Sequence, residues 1–259
     1  WLDECRGLED PELFHFIVLC LSRFCRRPTS RSATGTIQTD RLVCQADKVE
    51  VMTQTTSAKD RILDAAERLV HDHGFNATTV DAILDEAGAS KGAFFHHFSS
   101  KDALGEALVD RYAAADAALL EETMAKAEAA SEDPAEQLVE FLRLYEALAD
   151  DTVVAQPGCL FVSFIYERGP SSPREDDVIL WSIELWRQKI LEKLNAAAVD
   201  RPQLRELDLP ALADQVFSIF EGGFILVRAT GEPSHLRRQL AHLRRYFELL
   251  LGVDTAPAG

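Results

Sequence analysis

The residues of this chain best suited to chemistry lie in one short cationic segment, residues 90–101. From Ala87 to Lys101 there is no Asp or Glu, although acidic residues lie on both sides. Phenylalanines interrupt its polar positions, so a helix here would have one apolar face and one cationic face. Such a helix packs with the first face and can bind an anion with the second. The candidate binding residues are Ser90, Lys91, Gly92, Ala93, Phe95, His96, His97 and Lys101.

Other chemistries are not expected in this chain. His96 and His97 do not form a predicted metal site, because adjacent helical residues point about 100° apart and no third ligand is nearby. Nucleophilic catalysis by Cys159 would need a neighbouring base, and every histidine is distant from it in sequence. The chain also has no Gly-x-Ser-x-Gly motif and no phosphate-binding glycine loop. We therefore expect no metal, no cofactor and no enzymatic activity.

Two predicted helices position the cationic segment. Apolar residues at helical spacing predict a helix from Lys59 to Gly74, which the glycine ends. Thr79 is the expected N-cap of a second, shorter helix that Gly88 ends. Together with the cationic segment, this second helix forms a helix-turn-helix motif with a turn of about four residues. Thr78 and Thr79, at its start, are further candidate DNA-binding residues.

From Lys59 to Leu104 the sequence resembles the DNA-binding domain of the TetR/AcrR family of bacterial transcriptional regulators. The matching residues include Ile62-Leu-Asp-Ala-Ala, Gly74-Phe, Thr78-Thr-Val, Ser90-Lys-Gly, His97-Phe and Ser100-Lys-Asp-Ala-Leu. The resemblance implies an all-α homodimer that binds palindromic double-stranded DNA. It also implies a variable C-terminal domain that binds a small-molecule effector and shares the dimer interface. Most members of the family are repressors.

Two positions of the cationic segment depart from the family pattern. Ala93 stands where Thr or Ser is common, and Phe95 stands where Tyr is common. Both changes remove a hydroxyl that could bond a phosphate or a base edge. Positioning by phosphate contact therefore falls more heavily on Lys101, Thr79 and the two histidines. Phe95 either packs in the core or contacts the sugar-phosphate backbone, and the sequence leaves both possibilities open.

The bulk composition agrees with a regulator that has a small DNA contact. The 259 residues carry a net charge of −16, which argues against a protein that binds nucleic acid over its whole surface. A contact confined to one helix pair per subunit is compatible with this charge. Uninterrupted apolar runs are far shorter than the roughly 20 residues that span a bilayer. We expect a cytoplasmic protein without membrane association.

The first 51 residues differ from the rest of the chain, since they hold four of its five cysteines and show no sustained periodicity. We expect residues 1–51 to be a non-native or disordered extension, with the native start at Met52. A signal peptide at Phe14 to Leu21 is the alternative, although the preceding stretch is acidic rather than basic. The predicted DNA-binding domain is 52–104, the effector-binding and dimerisation domain is 105–251, and 252–259 is a disordered tail.

The C-terminal domain has no period-two alternation over the length of a strand, which predicts an all-α fold. The expected helices are Asp102 to Ala130, Pro134 to about Ala149, Arg174 to Ala198, Leu209 to Thr230 and Glu232 to Leu251, with an apolar segment from Cys159 to Tyr166. The last two helices are apolar over so much of their surface that a four-helix dimer interface is predicted, the alternative being a monomeric core. The candidate interface residues are Phe217, Phe220, Phe224, Leu236, Leu240, Leu243 and Phe247.

The middle helices hold the candidate effector-binding residues, Phe141, Tyr145, Cys159, Phe164 and Trp181. Cys159 follows Pro157-Gly158 at a predicted helix start, where the helix dipole would lower the pKa of a thiol. Gly-Cys-Leu at this place resembles the branch of the family that includes the repressor of N-ethylmaleimide reductase, which implies electrophile sensing. A packed structural thiol is the alternative, because free cysteine is among the most buried residues.

Overall fold

The computed structural model describes residues 57–155, 158–168 and 173–253. These ranges contain α-helices, one short 3-10 helix at Pro202–Glu206 and no strand, which confirms the predicted all-α fold. The helices are α1 Ala58–His73, α2 Val80–Ala87, α3 Lys91–His97, α4 Lys101–Ala130, α5 Pro134–Ala155, α6 Leu160–Arg168, α7 Pro173–Ala197, α8 Leu209–Thr230 and α9 Ser234–Leu251. The predicted extension 1–51 and residues 254–259 of the predicted tail lie outside the described residues.

Side-chain caps set the starts of the N-terminal helices. Ser57, Thr79 and Ser90 each accept a hydrogen bond from the backbone N–H three residues later, at 3.1 to 3.2 Å. Each cap satisfies a donor that the first turn of a helix leaves without a partner. Gly88 ends α2. The predicted ends of α2 are therefore confirmed, and α3 begins one residue after its own cap.

Helix α4 connects the N-terminal helices to the C-terminal domain. Its 30 residues extend over about 45 Å at 1.5 Å per residue. Near its start the Arg111 guanidinium contacts Asp64 (2.9 Å) and Glu67, both on α1. Further along, α4 packs against α5 and α7. One continuous helix therefore belongs to both parts of the protein.

Helices α8 and α9 pack closely against each other, and α9 also packs against α5. A Cβ on Gly223 would lie 2.7 Å from Leu236 Cδ1 and 3.2 Å from Leu236 Cα, so the close approach of the two helices depends on this glycine. Across to α5, Arg244 contacts Glu146 at 2.7 Å. These contacts hold α9 within its own protomer.

The structure buries most of the predicted dimer-interface residues within the protomer. Five of the seven candidate residues are at most 9% exposed within the protomer, namely Phe224, Leu236, Leu240, Leu243 and Phe247. Phe220 packs against Tyr145 and Trp186, with ring centroids 5.1 and 5.3 Å away. Phe217 lines a surface cleft between α7 and α8. Most of the candidate residues therefore face the core of their own chain, because these helices are apolar on more than one side.

Helix α8 is, within the described ranges, the one helix long and apolar enough to cross a membrane by length and composition alone. Of its most apolar 18-residue stretch, 28% is buried. Its polar side chains bind the rest of the chain. Asp214 contacts Arg187 at 2.6 Å, and Arg228 donates to the carbonyl oxygens of His71 (2.7 Å) and Asp72 (3.0 Å).

Candidate nucleic-acid interface and central cluster

Helix α3 has the two faces that the sequence predicts. Phe94 and Phe98 are buried, with 0% and 3% of their surface exposed. On the opposite side the exposed residues are Lys91, Gly92, Phe95, His96 and His97, with Ala93 half-buried. Phe95 is 60% exposed, so the alternative that it packs in the core does not hold. The exposed face therefore has cationic, imidazole and aromatic groups next to one another.

A surface cleft of about 230 Å³ lies where α2, α3 and the start of α4 meet. It is lined by Thr79, Val80, Asp81, Lys91, Phe94, Phe95 and Lys101. The Lys101 ammonium donates to the Asn76 carbonyl oxygen (3.2 Å) and lies 4.6 Å from the centre of the Phe75 ring. Lys91 forms an exposed ion pair with Asp81 at 2.9 Å. Two lysines beside the N-terminus of α2 make the cleft suitable for a phosphate group.

The two candidate threonines have different surroundings. Thr79 is exposed at the cleft, and its hydroxyl oxygen caps α2. Thr78 is only 3% exposed, and its hydroxyl donates to the Gly74 carbonyl oxygen at 2.7 Å. The prediction that Thr78 contacts DNA is therefore wrong, because its hydroxyl is used to fix the turn between α1 and α2.

Five polar side chains meet inside the C-terminal domain, and we call them the central cluster. They are Tyr112 and Asp116 of α4, Tyr145 of α5, Cys159 just before α6 and Glu221 of α8. Asp116 accepts a hydrogen bond from the Trp186 indole N–H at 2.8 Å. The Cys159 thiol donates to Glu221 and is hydrogen-bonded to the Tyr112 hydroxyl. Asp116 and Glu221 lie close enough for their charges to interact.

Burial changes the acidity of the whole central cluster. It raises the pKa of Glu221 to about 7 and the pKa of Asp116 to about 6, although hydrogen bonds from Cys159 and Trp186 oppose the change. Burial, reinforced by the charge of Glu221, also raises the pKa of the Cys159 thiol. The predicted lowering of this thiol pKa is wrong, because loss of solvent and a neighbouring carboxylate outweigh the backbone N–H of Val162.

Only some of the predicted effector-binding aromatics adjoin the central cluster. The Phe141 ring lies 4.9 Å from Tyr145 and 6.0 Å from Trp186, measured between ring centroids. Phe164 packs instead on Phe75 at 4.9 Å, and Trp181 is 52% exposed. Trp186 takes the place predicted for Trp181, because five residues on a helix correspond to a rotation of about 140°.

The sequence prediction missed Tyr112, Asp116 and Glu221. Tyr112 and Asp116 are four residues apart on a helix whose polar residues resemble those of a solvent-facing surface. Glu221 has a stronger sequence signal. It is the one charged residue between Val216 and Val227, in an otherwise apolar or small-residue stretch. A charge in the middle of such a stretch indicates a buried functional carboxylate.

Helix α6 joins the central cluster to the turn between α1 and α2. Cys159 immediately precedes it, and Glu167 lies near its other end. A carboxylate oxygen of Glu167 accepts a hydrogen bond from the Asn76 backbone N–H, and the Glu167 carbonyl oxygen accepts one from the Asn76 side-chain amide, both at 2.8 Å. Gly74 has φ of 84°, and a Cβ there would lie 1.9 Å from the Glu167 carboxylate. The turn thus needs glycine both for its conformation and for this contact.

Two family models match the chain in sequence order. The model described as bacterial regulatory proteins, tetR family, matches residues 62–108, and the tetracyclin repressor-like C-terminal domain matches residues 134–243. The chain belongs to the TetR family. It is a DNA-binding transcriptional regulator and not an enzyme, as the sequence predicts.

Similar curated proteins are also regulators, and most share only the N-terminal part. The uncharacterized regulator YerO of Bacillus subtilis is 52% identical over 46 residues, which are 18% of this chain and 16% of YerO. The repressor AcnR of Corynebacterium diphtheriae is 38% identical over 74 residues, 29% of this chain and 37% of AcnR. The regulator AcuR of Cereibacter sphaeroides is 23% identical over 193 residues, 73% of this chain and 85% of AcuR.

Solved structures share the whole fold at low identity. A TetR regulatory protein from Rhodobacter sphaeroides has a TM-score of 0.60 and 22% identity, over 73% of this chain and 98% of that chain. Reduced Escherichia coli NemR has a TM-score of 0.55 and 18% identity, over 73% of this chain and 96% of the NemR chain. At this identity the likeness shows the fold alone, and a cysteine-sensing branch does not follow from it.

Proposed function

We propose that this TetR-family protein is a homodimeric repressor that an effector releases from a palindromic operator. A relative named as a repressor matches the N-terminal part, which supports repression. The proposed DNA contact is the exposed face of α3, with Lys91, His96 and His97 toward base edges and Phe95 against sugar-phosphate. Lys101 and Thr79, at the cleft, would hold a phosphate group.

The exposed faces of α8 and α9 support dimerisation. Although α8 is markedly apolar, only 28% of its most apolar window is buried in the protomer. On this helix Ile225 is 56% exposed and Leu226 37% exposed, and on α9 Leu249 is 68% exposed and Tyr246 44% exposed. Large apolar groups exposed on two packed helices are typical of a surface that a second copy covers. We propose these four residues for the interface in place of the five candidates that are buried in the protomer.

A single observation carries the proposed release mechanism. Helix α6 begins beside Cys159 of the central cluster, and near its other end Glu167 holds the Asn76 backbone. The Asn76 carbonyl oxygen in turn accepts from Lys101, which lies in the cleft and begins α4. An effector that displaces α6 would therefore act on the turn that positions the DNA-binding helices. A reversible effector is favoured over thiol modification, because burial leaves Cys159 with a raised pKa.

Selection of DNA from a random duplex pool tests this function with the full chain. We expect the selected sequence to be an inverted repeat, since a two-fold dimer contacts two half-sites. Light scattering should give twice the chain mass of 28.8 kDa. Ile225→Glu should produce a monomer with greatly weakened operator binding, because it places a charge in an apolar interface.

The matched control is Val199→Glu, which adds the same charge at a position 66% exposed after α7. This variant should remain a dimer and bind the operator like the parent. A parent protein that is monomeric, or that selects a site without two-fold symmetry, would refute the proposal. So would an Ile225→Glu variant that dimerises and binds DNA normally.

A further inference from the structure

The central cluster contains two carboxylates without a cationic partner among the described residues. Asp116 is hydrogen-bonded to the Trp186 indole, and Glu221 to the Cys159 thiol, and both of these donors are neutral. Neither carboxylate forms an ion pair within the part of the chain that the structure describes. Both residues keep part of their surface accessible to solvent. Buried carboxylates normally have a cationic partner, and here that partner is absent from the described residues.

A second group in the central cluster is the Tyr145 hydroxyl. Tyr145 is 6% exposed, and the hydrogen-bonding side chain beside its hydroxyl is Thr123, with no well-aligned hydrogen bond to it among the described residues. The neighbouring Thr123 hydroxyl donates to the Leu119 carbonyl oxygen at 2.7 Å. Tyr145 also interacts electrostatically with Asp116, so its hydroxyl lies near this carboxylate. A buried tyrosine hydroxyl without a well-formed hydrogen bond can still accept one from a bound donor.

Aromatic rings surround these polar groups on several sides. The Tyr145 ring lies 5.3 Å from Trp186 and 5.1 Å from Phe220, and Tyr112 lies 4.8 Å from Phe161, between ring centroids. Ring faces attract cations, most strongly where water is excluded. An environment of aromatic rings and carboxylates therefore suits a positively charged group attached to an apolar body.

We propose that the effector is a hydrophobic organic ammonium ion bound in the central cluster. Its ammonium group would be placed between Asp116 and Glu221 and would donate to the Tyr145 hydroxyl oxygen. Its apolar part would pack against Trp186 and Phe220. This inference rests on the proposed function, because it names the chemical class of the molecule that displaces α6.

Binding of such a cation should be linked to proton release. The titratable groups that face Glu221 are Tyr112 and Asp116 of α4 and Cys159 before α6. Tyr145 of α5 faces Asp116 and Glu122 instead. Because the pKa of Glu221 is raised to about 7, this carboxyl is protonated in a large fraction of the protein molecules at slightly acidic pH. A bound cation favours the carboxylate, so affinity should rise with pH up to neutrality and then level off. An aliphatic ammonium stays charged over this range.

Calorimetric titration of the full chain with three similar molecules tests the inference. The probes are phenethylammonium, neutral 2-phenylethanol and anionic phenylacetate, each titrated at pH 6 and pH 8. We expect the parent to bind phenethylammonium at least tenfold more tightly than either other probe, and more tightly at pH 8 than at pH 6. Glu221→Gln keeps an acceptor for Cys159 but removes the charge, so it should lose at least tenfold in affinity for phenethylammonium alone.

The matched control is Glu206→Gln, at an exposed carboxylate on the 3-10 helix, which should bind all probes like the parent. Tyr145→Phe should lose affinity for phenethylammonium without losing the preference for a cation. Circular dichroism confirms that each variant is folded. The inference is overturned if phenethylammonium binds no better than 2-phenylethanol, or if Glu221→Gln binds it like the parent. A parent that still selects an inverted repeat would then leave the proposed function standing, whereas failure to select DNA would refute that function independently.

Discussion

Replacing Glu221 by Gln should change how the stability of the protein depends on pH. In the folded protein burial raises the pKa of Glu221 from its ordinary value of 4.5 to about 7. The folded state therefore binds more protons than the unfolded state between these two values. Stability contributed by the protonated carboxyl is fully present below about pH 4.5 and is lost as the pH rises toward 7. Glutamine does not titrate, so the variant lacks this loss.

The expected size of the effect follows from the same shift. A change of one pKa unit corresponds to about 1.4 kcal/mol, so the parent should lose up to about 3 kcal/mol relative to Glu221→Gln between pH 4.5 and pH 8. For a protein of this size that loss is roughly 6–12 °C in melting temperature. This is an upper limit, because part of Glu221 stays accessible to solvent and water screens its charge.

Thermal unfolding of the parent and of Glu221→Gln from pH 5 to pH 8 measures the difference. Subtracting the two curves removes the titration of groups common to both proteins. The exposed-site variant Glu206→Gln is the control, and its curve should parallel that of the parent. A parent that gains stability relative to Glu221→Gln as the pH rises would refute a buried carboxyl with a raised pKa. Parallel curves for these two proteins would refute it as well.

Two further predictions concern the DNA-binding face and the cysteine. Lys91→Ala and Lys101→Ala should each weaken operator binding, and Lys101→Ala should lower the slope of log affinity against log salt by about one. Unchanged titrations for both variants would show that α3 does not face DNA. N-ethylmaleimide should alkylate Cys159 more slowly in the folded protein than in the denatured chain, because the thiolate is the reactive form. Peptide mapping after timed exposure measures both rates, and equal rates would contradict the burial of this thiol.

The N-terminal helices could be predicted closely from sequence because local signals determine them. Thr79 and Gly88 mark both ends of α2 through backbone chemistry that depends on only a few neighbouring residues. The spacing of Phe94 and Phe98 likewise gives the buried face of α3. The role of Thr78 could not be predicted from its sequence neighbours. Its position beside an exposed cap indicated a DNA contact, and only the folded turn brings its hydroxyl to the Gly74 carbonyl oxygen.

The C-terminal domain was harder to predict because its helices are apolar on more than one side. Hydrophobic periodicity locates a helix, but it does not say which apolar face meets the chain and which meets a partner. Phe247 and Leu249 are two positions apart on the same helix, yet the Phe247 side chain is 0% exposed and the Leu249 side chain is 68% exposed. The prediction of a lowered pKa for the Cys159 thiol was wrong for a related reason. The effect of the helix start is local, whereas Glu221, 62 positions later in the sequence, is brought to the thiol only by tertiary packing.

The central cluster makes physical sense as a binding site rather than as a source of stability. Two largely buried carboxylates with raised pKa values destabilise the folded protein when they are ionised, and apolar residues of similar size would pack there without this cost. A ligand that supplies the missing positive charge would offset the free-energy cost of ionising these two carboxylates, and this gain would add to its binding free energy. Because Cys159 connects Glu221 to the start of α6, that energy becomes available at the helix whose other end holds Asn76. The same carboxylates that weaken the unliganded fold would thereby give an effector control over the DNA-binding turn.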